Sequence, residues 1–249
     1  MLRRPRDRAR PLRRPAAVLL FAALAAACAL EQKMAVEVID APLRERGDEL
    51  KASKARRGEL HLGPYAIVDI ALDRVKDAAP LLSDTQPRPS TFYSLEFDLR
   101  RDARTWHARC LAERRIAQNI DFAAAADESH DEVALACTLH DPEARDWSLK
   151  AAGDVGRGLN GEVVGASAED VAFSVEVLAR RRFFRAVARE LPFPVAQLRQ
   201  AKVAAAAMLL DTPERAWLGP ELSDAGRELA ITVLVALRLL PLGEEPLRG

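Results

Sequence analysis

Thr91-Phe92-Tyr93-Ser94-Leu95-Glu96-Phe97-Asp98-Leu99-Arg100 decides the class of this fold. Tyr93, Leu95, Phe97 and Leu99 face one way, and Ser94, Glu96, Asp98 and Arg100 face the other. Strict alternation with a period of two is the signature of a strand with one face in the core. The polar connection Arg101-Asp102-Ala103-Arg104 follows. Trp106, Ala108, Cys110 and Ala112 then alternate with His107, Arg109 and Glu113, so the two segments read as a hairpin. Beyond a polar loop at Asp127–Glu132, Val133, Leu135, Cys137 and Leu139 share one face.

Cys110 and Cys137 both fall on apolar faces. They can meet only if their strands are neighbours or face each other across the core, with Cα atoms no more than about 7 Å apart. The pair is therefore a disulfide candidate, worth roughly 3 kcal/mol on chain-entropy grounds.

Further strands are expected at Gly58–Leu72, Trp147–Ala152, Gly161–Ala166 and Val171–Val177. In the last of these, Val171, Phe173, Val175 and Val177 point inward. Gly63-Pro64, the glycines from Gly153 to Gly158, and Asn160-Gly161 supply the turns. Short strands separated by turn chemistry predict a mainly β protein, an antiparallel sandwich or barrel.

The C-terminus changes character. Ser223 can cap a helix starting at Asp224, with Glu228 near its positive end. From Leu229 to Leu240 only Thr232 and Arg238 interrupt the apolar residues, and Pro241 ends the run. A helix apolar all round is buried all round, so a buried hydrophobic helix over 224–240 completes the expected fold. It could be wrapped by strands or seal one face of a sheet. A series of antiparallel strands followed by such a helix resembles the tubby-like and phospholipid-scramblase-like folds, in which a barrel encloses a central helix. The resemblance is one of organisation and spans about residues 58–241. It implies binding to membrane lipid.

At the other terminus, seven arginines between Arg3 and Arg14 precede an unbroken apolar run, Ala16 to Ala27, which ends in Ala25-Ala26-Ala27-Cys28. Twelve apolar residues make about 18 Å of helix, short of the roughly 20 residues a transmembrane helix needs. A basic segment, a short apolar segment and small residues before a cleavage point are the parts of an export signal. With the cysteine directly after them, the segment resembles a bacterial lipoprotein signal, although Ala25 stands where that family usually has leucine. The resemblance implies lipidation of Cys28; plain cleavage after Ala27 is the alternative. Ala29 follows Cys28 in place of the aspartate that often marks inner-membrane retention in that family, which implies the outer membrane where one exists. Arg13-Arg14 is similar to a twin-arginine signal, but Pro15-Ala16-Ala17 departs from it. The expected organisation is a signal peptide over 1–27, a lipid-anchored tether over 28–57, and one β-rich domain over 58–249.

The whole chain balances 37 basic against 37 acidic residues. Residues 1–27 hold seven of the arginines and one aspartate, so the remainder carries 30 basic and 36 acidic residues, a net charge of −6. A nucleic-acid binder is expected to be basic, so no nucleic-acid partner is expected. With Cys28 taken by lipid, an even pair of cysteines remains, as suits an oxidising envelope.

No residue set announces catalysis. Gly165-Ala166-Ser167-Ala168 lacks the closing glycine of a nucleophile elbow, and Gly153-Asp154-Val155-Gly156-Arg157-Gly158 lies between strand patterns and is no P-loop. Cys137 and His140 have C-x₂-H spacing, but on a strand they point to opposite faces. No metal, cofactor or catalytic residue is therefore assigned. Glu221 and Asp224 read as surface and helix-cap charges. Arg180-Arg181-Arg182-Phe183-Phe184 is a local basic-aromatic patch, and Trp106, Trp147 and Trp217 read as packing residues. The expectation is a non-catalytic exported lipoprotein facing the periplasm or outer membrane, held to the membrane by its lipid and binding or scaffolding an envelope protein partner. A lipid- or small-ligand-binding module, and a secreted hydrolase built on His107, His130 or His140, are the alternatives.

Overall fold

The computed structural model describes residues 35–53, 58–76, 78–82, 89–115, 131–155, 157–166, 171–178, 195–210 and 214–242. Residues 1–27, expected to be a signal peptide, together with Cys28, His130 and the Arg180–Phe184 patch, lie outside these residues. The alternating stretch around Leu95 forms a strand, β4 (Ser90–Arg101), and its hairpin partner is β5 (Arg104–Arg115), turned tightly at Asp102 with φ 53°. An aspartate tolerates that left-handed conformation better than most side chains. The other strands are β1 (Asp48–Ser53), β2 (Leu60–Leu62), β3 (Tyr65–Val75), β6 (Glu132–His140), β7 (Asp146–Asp154), β8 (Gly158–Val164), β9 (Val171–Leu178), β10 (Val195–Gln200), β11 (Val203–Leu209) and β12 (Arg215–Leu218). Each pairs antiparallel with the next, and β12 pairs with β1, so the twelve close into an up-and-down barrel. The fold is thus mainly β, as expected, and of the two expected architectures it is the barrel.

Closure depends on β1, which lies inside the stretch read from the sequence as a tether. Asp48↔Leu218 to Lys51↔Arg215 join it to β12, and Ala52↔Leu62 and Ser53↔His61 join it to β2. Its inward side chains are only Leu50 and Ala52, too few for an alternation to register in the sequence. Before it, residues 35–38 form a helical turn. A short helix, α1 (Ala41–Arg46), follows. Ile39 and Leu43 then pack on the outside of the wall against Val195, Ala204, Ala207, Leu209 and Trp217. Residues 35–53 therefore belong to the folded body, which begins well before residue 58.

The interior is filled by the C-terminal helix, α2 (Asp224–Leu239). Ser223 caps it, its Oγ accepting the Gly226 N–H at 3.1 Å. Ten consecutive residues, Glu228 to Leu237, are buried. Side chains turn by about 100° per residue in a helix, so a helix lying on one sheet face could not bury ten in a row. α2 touches β4 and β5 on one arc of the ring and β10 and β11 on the opposite arc. It therefore runs through the barrel. Around it, Leu95, Leu99, Trp106, Leu139, Leu149, Leu159, Val163, Leu198 and Met208 line the lumen at 2% exposure or less. Gly161 is required on this wall, because a Cβ there would come within 2.1 Å of the Lys150 carbonyl. Outward positions carry Glu96, Asp98, Arg109, Lys150 and Glu162. That is the inverse of an outer-membrane barrel, whose apolar band faces out. Among the described residues no helix is long and apolar enough to cross a membrane.

Because Leu234 is 0% exposed at the centre of α2, Leu234→Ala should cost about 2–5 kcal/mol, read as a lowered denaturant midpoint. Leu234→Asp should abolish soluble folding, since an unpaired charge would be buried. Normal stability of either variant would contradict the helix-filled interior.

Candidate functional site

Ion pairs stand at both ends of this barrel and on several strands of its outer wall. At the end where α2 enters, Glu228 is 1% exposed and accepts hydrogen bonds from Arg104 Nε and Trp106 Nε1, both at 2.9 Å. Arg101 lies 3.9 Å from its other oxygen, bonds Asp224 at 3.1 Å, and stands over the Tyr65 ring 5.8 Å from its centroid. Burial pushes the Tyr65 hydroxyl above its usual pKa, with Arg101 opposing. Arg227 ties the same turn of α2 to Asp48 at 2.6 Å, at the start of β1. Thr232, inside the apolar helix, donates its hydroxyl to the Glu228 carbonyl at 2.8 Å. At the exit end, Arg238 holds Glu214 at 2.8 Å. Both ends of α2 are therefore fixed to the rim by ion pairs.

Glu113 sits on the outer wall of β5 yet is 1% exposed, because the β3–β4 connection crosses over it. Its Oε2 accepts the Leu81 and Leu82 N–H groups at 2.7 and 2.9 Å, and its Oε1 accepts the Ser90 hydroxyl at 2.8 Å and Arg115 at 3.1 Å. Burial raises the Glu113 carboxyl, but the hydrogen bonds from Leu82, Ser90 and Leu81 and the Arg115 charge outweigh it, and the net shift is downward. Asp141, in the β6–β7 turn, follows the same logic: burial raises it, while the Arg145 and Glu143 N–H groups and the Arg145 guanidinium lower it further.

The residues singled out in the sequence fare differently. Cys110 and Cys137 face each other directly in the β5–β6 ladder and form a disulfide on the lumen side, Cα–Cα 4.0 Å. Trp106 and Trp217 are buried, Trp106 in the lumen and Trp217 beneath α1. Trp147 packs against the core from a partly buried position. His61 lies 3.6 Å from Glu59. His107 and His140 are brought side by side: Asp98↔His107, His107↔His140 and His140↔Asp146 are successive ladder partners, giving a row of four across β4, β5, β6 and β7. His107 Nδ1 is 2.7 Å from Asp98 and His140 Nδ1 is 2.6 Å from Asp146. The sequence reading treated these histidines as separate. The signal that joins them lies in the cysteines: positions three before Cys110 and three after Cys137 must oppose each other once the two strands pair antiparallel in that register. Glu228 and Glu113 carry no local signal, since their partners are 122 and 32 residues away in sequence.

No protein-family model, curated protein or solved structure matches this chain. What the geometry defines is a class: a closed, twelve-stranded antiparallel barrel threaded by its own C-terminal helix.

Two outcomes follow. Reduction of Cys110–Cys137 should lower stability by roughly 3 kcal/mol, seen as a reductant-dependent fall in melting temperature that the Cys110→Ala/Cys137→Ala variant does not show. The folded pKa of Glu113 lies below its unfolded value, so its contribution is present in full above the unfolded value, about 4.3. That contribution drains away as pH falls through the lower folded value. Glu113→Gln should cost about 1–3 kcal/mol at neutral pH and flatten the loss of stability in denaturant titrations below about pH 4.3.

Proposed function

We propose that this chain is an exported lipoprotein of a bacterial envelope, anchored through Cys28, whose barrel binds or scaffolds a protein partner rather than carrying out catalysis. The observation that carries the reading is the cysteine arrangement. The chain has three cysteines, and two of them are joined inside the barrel. Cys28 alone remains, directly after an arginine-rich and apolar segment of export type. A disulfide of this kind suits an oxidising compartment.

The folded arm sets how the anchor would hold the body. Ala35 and Val36 pack against the outer-wall cluster that Val195 of β10, Ala204, Ala207 and Leu209 of β11 and Trp217 of β12 form with Ile39 and Leu43. Cys28 precedes Ala35 by seven residues, a reach of at most about 25 Å. The barrel would thus be held close to the bilayer, by its β10–β12 side, rather than on a long tether.

Two observations weigh on the alternatives. A ligand carried in the lumen has no place to sit, because α2 occupies it. The imidazoles of His107 and His140 engage Asp98 and Asp146 on an exposed wall, and His130 lies outside the described residues. Lipid binding by the barrel itself keeps one support: a ring of strands around a C-terminal helix is the organisation that tubby-like and scramblase-like folds share.

In a native bacterial host the protein should fractionate with membranes, with an intact mass equal to a chain starting at Cys28 plus acyl groups. Cys28→Ser should move it to the soluble exported fraction. Persistent membrane attachment of that variant would overturn the anchor and favour lipid binding by the barrel wall.

A further inference from the structure

We propose that His107 and His140 form an open, two-imidazole site for a divalent transition-metal ion, preferring copper(II) over zinc. The two residues are direct ladder partners on neighbouring strands and project from the same outer face. Narrow and wide pairs alternate along an antiparallel ladder. The 4.0 Å Cα separation at Cys110–Cys137 marks a narrow pair, so the pair three steps away is a wide one, with Cα atoms about 5.5 Å apart. From that spacing two imidazoles can converge on one ion with metal–nitrogen bonds of about 2.0 Å.

The carboxylates prepare the rings for this. With Asp98 and Asp146 accepting at Nδ1, each neutral ring keeps its proton on Nδ1 and presents the Nε2 lone pair. A carboxylate behind a histidine in this way is the arrangement that orients metal-binding imidazoles and raises their basicity. Asp98 is itself steadied by Arg100, 3.2 Å from its second oxygen, and Arg100 also holds Asp69 at 2.6 Å. Three carboxylates against that one guanidinium leave the strip net negative. The adjacent Arg109 is engaged by Glu96 at 3.2 Å.

Both rings are open to solvent, at 60% and 42% side-chain exposure, so water can complete the coordination. Among the described residues no three or more histidine, cysteine, aspartate or glutamate side chains converge on a metal-sized space. The site is therefore limited to two protein ligands and waters. Such a nitrogen-and-water set suits tetragonal copper(II), which also stands above zinc in the general affinity order, while magnesium and calcium prefer oxygen ligands.

The test is titration of the full-chain protein, purified without an affinity tag, with copper(II), zinc and magnesium salts. One copper should bind per chain, with two-nitrogen coupling in its electron paramagnetic resonance spectrum. Zinc should bind more weakly and magnesium should give no signal. His107→Gln and His140→Gln should each weaken copper binding at least tenfold and reduce the coupling to one nitrogen. Asp146→Asn should weaken it by about tenfold while leaving both nitrogens. Both rings are exposed, so the melting temperatures of these variants should match the parent, which separates a lost site from a lost fold. No copper binding, or copper binding that survives the His107→Gln/His140→Gln pair unchanged, would overturn the site.

Discussion

Everything in this structure follows from a helix that has no polar side. From Leu229 to Leu237 only Thr232 departs from apolar character, and its hydroxyl is satisfied within the helix backbone. Such a segment has no stable position at a surface, and a single sheet covers only one of its faces. A ring covers all of them. Twelve strands can surround a helix and its side chains, because barrel diameter grows with strand number and eight strands are filled by their own side chains. Helix and barrel thus depend on each other: α2 needs an enclosure, and a ring of this size needs a filling.

Closing the ring places demands elsewhere. A meander leaves its first and last strands as open edges, which are prone to pairing with other chains; β1 and β12 remove that liability by pairing with each other. The seam is short, and charges reinforce it: Glu49 to Arg215 across the pair, and Arg227 of α2 to Asp48. The helix is further held at entry by Glu228 between Arg104 and Trp106, and at exit by Arg238 on Glu214. Glu228 is the most consequential of these, since a buried carboxylate without its donors would be costly. With the interior committed to packing, the exposed polar side chains stand on the outer wall, the paired histidines and the surrounding charged rows among them.

Much of this was legible beforehand. The strands β4 to β9 announced themselves because one face meets the core and the other meets water, so their sequences alternate. The helix was legible because its apolar run is too long and too uniform for a strand, with Ser223 at its start and Pro241 at its end. The disulfide followed from two cysteines on apolar strand faces. The strands β10 to β12 were missed for the opposite reason. Ala204-Ala205-Ala206-Ala207 is buried on both sides, by α2 within and by the 35–46 arm without, so alternation vanishes, and alanine has little strand propensity. The arm itself was read as a tether because charged residues are spread through 31–57 without a period and its apolar stretch is short.

The sequence by itself thus determined the local states: which segments are strands with one wet face, which segment must be buried all round, and which cysteines could pair. Those properties depend on neighbours within a few residues. Only the tertiary structure decided between sandwich and barrel, because closure rests on β1 meeting β12 across 160 residues or more, a pairing with no local signature. It alone decided that α2 lies inside the ring, that Glu228 and Glu113 are buried beside distant donors, and that His107 and His140 share a row with Asp98 and Asp146. Each of these is a matter of register between strands, and register is set by the whole ring at once.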